Sequence, residues 1–524
     1  MRWTRRACTV LVAGVLSMSA CKPEEPEPPP PPVTTDSQGD WEDTGRYAAC
    51  EVVNSSAIAC GDLENVKVSG CDVSSLASMP RDGIYTMVYR NDAAVPAIGV
   101  GSFRVSADGS LDAFRGATPT ERQVDSDTFF LSSTRKQSSS VTVRYSVVGC
   151  RAEGNRLYGC YVNCRNGKAN GSGTFLAERW TRRAGEAEAS GLTLTSESAV
   201  EGGLPVDIYV TQGHAYVVSI PDGAERGGLT VFDVSNPAAP VLETRITQLN
   251  DNYWNGVWAK GNALYVASAS SGVVVFDISE PANPKLLKSL PSGRGQIDVH
   301  TVFVEGDRLY GMSPSPSPQT LIFDIQRPTE PVLLGEYAEP GATTDPTVGF
   351  PHDALAFEGM LYINHWSSGY LMVDLSDPAN PKKVGSYTYP YATSHANAVG
   401  KFGDRRIAFE GGESWGAHLR VVDVTDPVHP VRIGEYKLEA SASIHNMVLK
   451  GERLYISHYH HGVRVLDVSV PENPKEVAYY NTFREADPGR GESFYEGAIG
   501  MRVPGDGYVY VIDTSRGLLI FPEP

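Results

Sequence analysis

An all-β fold, most of it a closed ring of small sheets, is predicted by three observations. The phrase Asp, apolar, Ser, x, Pro, x, x, Pro returns six times, with Gln326 and Thr425 for Ser in the third and fifth copies, from Asp233, Asp277, Asp324, Asp374, Asp423 and Asp467, at intervals of 44, 47, 50, 49 and 44 residues. Two more short apolar strands precede each Asp, clearest in HTVFVEGDRLYGM from His300 and HNMVLKGERLYIS from His445. Apolar residues come in short bursts between Gly, Pro, Asn and Asp, and no amphipathic run reaches helical length. Four strands in about 45 residues is the period of a β-propeller blade, a sheet that hides its faces only against its neighbours.

Taken in chain order, the N-terminus decides the compartment. Arg2, Arg5 and Arg6 precede an apolar run from Ala7 to Val15, far shorter than the ~20 residues of a bilayer span, so residues 1–20 read as a secretory signal peptide. Met18-Ser19-Ala20-Cys21 resembles the lipobox of bacterial lipoproteins, with Met18 where Leu is usual. The resemblance implies lipidation of Cys21 and attachment to a membrane of the bacterial cell envelope. Lys22 is not the Asp that resembles an inner-membrane retention signal, which favours the outer membrane, on its periplasmic face or at the cell surface. Residues 21–45 contain five consecutive prolines, Pro28 to Pro32, and no apolar cluster. They are expected to form a disordered, extended spacer.

With Cys8 in the signal and Cys21 lipidated, Cys50, Cys60, Cys71, Cys150, Cys160 and Cys164 remain. An even set in an exported chain reads as three disulfides, whose pairing the sequence leaves open. The C-x3-C of Cys160 and Cys164 lacks the second pair or the His of a zinc site. Strand-like stretches such as GIYTMVYR and SSVTVRYSVVGC make residues 46–185 a small disulfide-stapled antiparallel β domain. Asp108-Gly109 marks a tight hairpin; Asp108, Ser110 and Asp112 lack the distal Glu of a calcium loop.

The propeller is expected over residues 190–524. Within the repeated phrase, Asp and Ser can bond the backbone of a turn while the prolines fix φ and stop the flanking strands. After the sixth phrase the chain runs GYVYVIDTSRGLLIF from Gly507, a unit with three inner strands and no fourth. An open edge invites aggregation, and the chain can close its ring by lending a strand from the other end. The prediction is therefore seven blades, the last completed by Leu192 to Thr195. GVVVFDISEPANP from Gly272, GYLMVDLSDPANP from Gly369 and GVRVLDVSVPENP from Gly462 resemble the LVIVD-repeat family of bacterial β-propellers. The likeness spans Val206 to Phe521, with Gln326 in place of Ser in the third unit. It implies a propeller and carries no catalytic residues with it.

The 62 acidic against 45 basic residues, a net charge of −17, exclude nucleic acid and electrostatic adhesion to anionic headgroups as partners. No phosphate loop or dinucleotide fingerprint occurs in the repeats. Blade topology instead sorts side chains by face. The innermost strands start on the rim where the loops between second and third strands lie, here called the upper rim; the Asp-Pro phrases occupy the lower rim. Innermost strands begin at His300, His352, His395 and His445, with Asn255 at the same offset in blade two. Loops add His365, His458, His460 and His461, and the aromatics Trp254, Trp366, Trp415 and Tyr459. Two functions follow. The favoured one is a surface-anchored binding scaffold, not an enzyme, that recognises a protein, peptide or glycan through Trp254, His365, Trp366, Trp415, His458, Tyr459, His460 and His461. The alternative is a metal-dependent oxidoreductase or hydrolase in which His300, His352, His395 and His445 hold Cu, Zn, Fe or Ni, with Asp298 and Asp353 orienting them. Such a ring resembles the His-lined metal centre of the selenium-binding-protein and methanethiol-oxidase propellers, of which no further motif occurs.

Overall fold

A computed structural model describes residues 31–53, 58–248, 250–345 and 348–524; the expected signal peptide, residues 1–20, and Cys21 lie outside them. Seven antiparallel sheets form the propeller. Blade one covers residues 204–246, blade two 254–290, blade three 301–337, blade four 353–388, blade five 394–436, blade six 447–480 and blade seven 498–522. Each follows the order innermost to outermost in sequence, and the apolar faces meet between blades, as where Phe276 and Trp254 of blade two join Val231 and Phe232 of blade one in one core.

The ring closes as expected in kind but not in register. Ser196–Ser198 pairs with the last strand, Ser196 lying opposite Ile520, and of the expected 192–195 Thr195 reaches it, its N–H donating to the Ile520 carbonyl at 2.8 Å. Leu192 is drawn into the core between blades six and seven, while Glu197 remains at the edge to pair with Arg516. Burial of the apolar side chain takes precedence, and the polar Ser-Glu-Ser that follows supplies the edge. Just upstream, Ala189–Ser190 adds a fifth strand to blade six.

The expected spacer is corrected over its described part, residues 31–45, while residues 21–30 lie outside the described residues. Val33–Thr35 is a fifth strand on blade four, parallel to its outer strand with Val33 opposite Ser386. Asp36 then accepts from the Tyr387 hydroxyl at 2.6 Å, and Asp40 meets the buried Arg420 at 2.8 Å. A free outer edge and a buried cation recruit this segment, two features that its composition does not display. At the matching strand position in blade six, buried Arg464 is met at 2.9 Å by Glu186 of the segment leading into the propeller.

Turn chemistry in the repeated phrase is uniform. The N–H two residues after Asp233, Asp277, Asp324, Asp374, Asp423 and Asp467 donates to that Asp's Oδ1 at 2.8 to 3.0 Å. Because a backbone N–H makes the bond, Gln326 serves as well as Ser. The phrase also docks on the outer strand of the preceding blade, at a glycine: a Cβ on Gly385 would lie 2.0 Å from the Pro427 carbonyl oxygen, and one on Gly335 2.4 Å from that of Pro378.

Residues 46–179 form the second domain, an eight-stranded antiparallel sheet. Cys50–Cys160, Cys60–Cys164 and Cys71–Cys150 are the three disulfides, tying the segment ahead of the sheet to its central strands. Asp112 turns to Arg122 at 2.6 Å, as a structural turn would. This domain sits on the upper rim over blades five to seven. Val88 shares a core with Trp41, Trp415 and Phe494. Glu485 takes the Ile84 N–H at 2.6 Å, Glu492 takes that of Gly116 at 2.6 Å, and Trp180 packs 4.7 Å from Phe483. Since propeller strands flank it at 33–35 and 196–198, the stapled domain is an insertion between two strands of the ring.

Candidate functional site

Each innermost strand pairs along one edge only; the other edge faces the axis, and its backbone groups must find partners across blades. At the upper rim one equivalent position per blade lies on this edge, Val206, Asn255, His300, His352, His395, His445 and Ile499, and at three of them the side chain meets the need. In blades one, two, five and seven that residue is the extra one of a β-bulge, with register shifts at Pro205/Asp207, Trp254/Gly256, Ser394/Ala396 and Ala498/Gly500. Bulges re-aim a side chain. Asn255 Nδ2 donates to the carbonyl of His300 at 3.2 Å, His395 Nδ1 to that of His445 at 3.0 Å, and His445 Nδ1 to that of Ile499 at 2.8 Å. These bonds staple adjacent blades, and with Nδ1 carrying the proton, the Nε2 lone pairs of His395 and His445 are left free.

The four imidazoles stand edge to edge around one side of the axis. Ring centroids are 4.3 Å apart for His300 and His352, 4.0 Å for His352 and His395, and 4.5 Å for His395 and His445. His300 Nε2 lies 2.9 Å from His352 Nε2. Opposite them, Glu413 comes from the loop between the second and third strands of blade five. Its Oε2 is 3.6 Å from His395 Nε2 and its Oε1 3.9 Å from His445 Nε2. The Tyr459 hydroxyl donates to Oε1 at 2.5 Å. His352, His395 and Glu413 each offer a ligand atom within 4.8 Å of the others, and buried His395 Nε2 has no hydrogen-bond partner.

Electrostatics keep the rings neutral. Burial pushes His300 and His445 down to about 4, and burial together with the neighbouring imidazoles holds His352 and His395 well below the usual histidine value. Burial raises Glu413 to about 7 against the Tyr459 hydrogen bond. Four neutral imidazoles and a carboxylate poised between its two forms are donors without a cation of their own.

Structure and expectation diverge for the other residues. Asp353 lines the axial cavity beside the ring and is raised to about 7 by burial, yet its Oδ1 accepts from the Ala354 N–H at 3.0 Å and it bonds no imidazole among the described residues. Asp298 pairs through its backbone with Ser315 and is not part of the cavity wall. Neither orients a ring, as both were expected to; the carboxylate that reaches the imidazoles is Glu413. The expected recognition rim is mostly buried: Trp254 is 0 % exposed, Tyr459 1 % and Trp415 6 %, and His365, His458, His460 and His461 are buried as well. Trp254 turns inward to Asp251, His460 packs 4.4 Å from Phe483, and Trp415 lies beneath the stapled domain. Trp366 is half-buried, with its ring 5.4 Å from that of His352. Trp366 and Tyr459 both hold positive φ, 45° and 34°, a conformation that bulky residues keep only where their surroundings enforce it. It aims Tyr459 at His445, 4.9 Å away.

Below the ring the cavity of about 1070 Å³ continues along the axis. Arg502 stands in its wall, 3.4 Å from Asp207 and 4.5 Å from the Trp258 ring. Glu413 went unread in the sequence, although it lies in GGESWG, a loop already assigned to the upper rim; the missing knowledge was which loop residue turns inward.

The sequence profile of the LVIVD repeat matches residues 202–248, 253–290, 353–389 and 443–482, so the chain carries LVIVD repeats, in blades one, two, four and six. Blades three and five, outside those matches, are the ones with Gln326 and Thr425 in place of Ser. The crystal structure of the computationally designed Ika8 protein aligns with 62% of this chain and 98% of its own, at 10% identity and a TM-score of 0.44. That of the WD40 beta propeller domain of Doa1 aligns with 64% of this chain and 98% of its own, at 10% identity and a TM-score of 0.46. No curated protein matches the chain.

Proposed function

We propose that this LVIVD-repeat propeller is an exported, lipid-anchored protein that holds one transition-metal ion at the upper end of its axial channel and uses it on a small molecule. The observation that carries the reading is the meeting of His352, His395 and His445 with the Glu413 carboxylate, His300 standing beside His352, with His395 Nε2 buried and unpartnered. Imidazole suits iron, copper, zinc and nickel, and two imidazoles with one carboxylate, as in His352, His395 and Glu413, suit non-haem iron(II) in particular. His395 and His445 would bind through Nε2, held by the carbonyls of the next blade; Glu413 would add charge, oriented by Tyr459. Such an ion supplies Lewis-acid or redox chemistry. The cavity beside the ring is of a size for a small ligand, whereas burial of the rim aromatics leaves little surface for a peptide or glycan. Three disulfides accord with an oxidising compartment outside the cytosol.

Metal analysis of the tag-free protein after equilibration with iron(II), copper(II), zinc(II) or nickel(II) tests this. One ion per chain is expected, lost in His352→Ala and weakened at least tenfold in Glu413→Gln, but kept in His214→Ala, whose ring meets Glu243 on blade one. Absence of stoichiometric metal, or its retention in His352→Ala, would overturn the proposal.

A further inference from the structure

The direction of one short strand fixes which face of the disc meets the membrane. In blades one to six the fourth strand of the repeat climbs from the Asp-Pro turn at the lower rim to the upper rim. Val33–Thr35 runs parallel to that strand in blade four, Val33 opposite Ser386 and Thr35 opposite Thr388. The chain therefore arrives at the propeller from the lower-rim side. It leaves upward: the Asp36 N–H donates to the Thr388 carbonyl at 2.8 Å, Asp40 is locked on Arg420, and Trp41 lies in the core shared with the stapled domain. Ser386 is four residues above Lys382, the first residue of that outer strand, which sets Val33 roughly 13 Å above the lower end of the strand. Only the eleven residues 22–32 separate Val33 from Cys21, a reach of at most about 40 Å whatever their conformation.

We propose that the lower rim is the membrane-proximal face, so that the imidazole end of the channel and the stapled domain point away from the lipid. This rests on the reading of Cys21 as the lipid attachment site. For the opposite orientation the tether would have to reverse at Val33, climb past Thr388 and clear a whole domain seated on the upper rim. The partner of the lower rim is then a lipid surface held at tether length, not one gripped by charge, since the chain's net charge of −17 repels anionic headgroups.

The six cysteines downstream of Cys21 are all in disulfides, so one added cysteine in the mature lipidated chain is a unique labelling site. Ala239→Cys and Ala379→Cys place a fluorophore at exposed positions in the lower-rim phrases of blades one and four, and Ala224→Cys at an exposed loop of the upper rim of blade one. With the full-length lipoprotein in phosphatidylethanolamine–phosphatidylglycerol vesicles carrying an acceptor lipid, energy transfer from both lower-rim probes should exceed that from Ala224→Cys at least twofold. Equal or reversed transfer in a lipidated chain overturns the orientation alone. A chain whose mass shows no lipid on Cys21 overturns the anchor and the orientation together, and leaves the metal reading, measured separately, untouched.

Discussion

His395 uses its two nitrogens for different ends: Nδ1 binds the neighbouring blade and Nε2 faces Glu413. Blade two shows how the roles separate, because Asn255 makes the same inter-blade bond with no ring. His395→Asn should therefore keep urea stability within about 1 kcal/mol of the parent, the worth of one hydrogen bond, while abolishing bound metal; His395→Ala should lose both. Equal destabilisation of the two variants would show that the staple is not the reason for stability. Away from the ring, His460 is buried against Phe483 and pushed down to about 3 by burial and by Arg490. The unfolded chain takes up that proton near pH 6.5 and the folded chain refuses it until about 3. Its stabilising share is thus complete above pH 6.5 and is lost as pH falls toward 3. His460→Gln should flatten the acid limb of a plot of urea midpoint against pH between 6.5 and 4.

At the scale of the element, the lower-rim turn explains both the constancy and the tolerance of the repeat. Asp324 receives a backbone N–H from position 326, so Gln326→Ser should change stability by less than about 0.5 kcal/mol, whereas Asp324→Ala should cost about 1 kcal/mol. The turns of blades four, five and six each meet a glycine of the preceding blade, Gly335, Gly385 and Gly434. Gly385→Ala forces a Cβ against the Pro427 carbonyl and should destabilise by about 1–3 kcal/mol in urea unfolding. That pairing was invisible in the sequence, although LLGEY, KVGSY and RIGEY recur in the outer strands, because period alone does not say which surfaces touch. The turns themselves were legible, since Asp, Ser and Pro act within a few residues of one another.

For the whole molecule, two buried arginines at equivalent strand positions, Arg420 and Arg464, fasten the segments on either side of the stapled domain through Asp40 and Glu186. Asp40→Ala leaves a buried guanidinium short of a carboxylate and should cost about 3–5 kcal/mol, more than any rim substitution; thermal unfolding measures it. Blade number, ring closure by an upstream strand and the gathering of His300, His352, His395 and His445 on one rim could be read from spacing, because a closed ring turns sequence period into position. Three things could not. The closing register depended on Leu192 winning burial over pairing. The strap at 33–41 depended on a free blade edge and a buried charge far away in sequence. Glu413 depended on the inward turn of one loop.

The insertion of a folded domain between two strands of the ring has a consequence for biogenesis. Residues 33–35 are matched with partners at 386–388, and residues 196–198 with partners at 518–520, so these segments must wait for partners synthesised far later. The three disulfides join residues between 50 and 164 and can form early, whereas the ring cannot be sealed until residues 518–520 have emerged. A nascent propeller therefore carries unpaired sheet edges until those partners emerge, the state in which a chaperone would matter most.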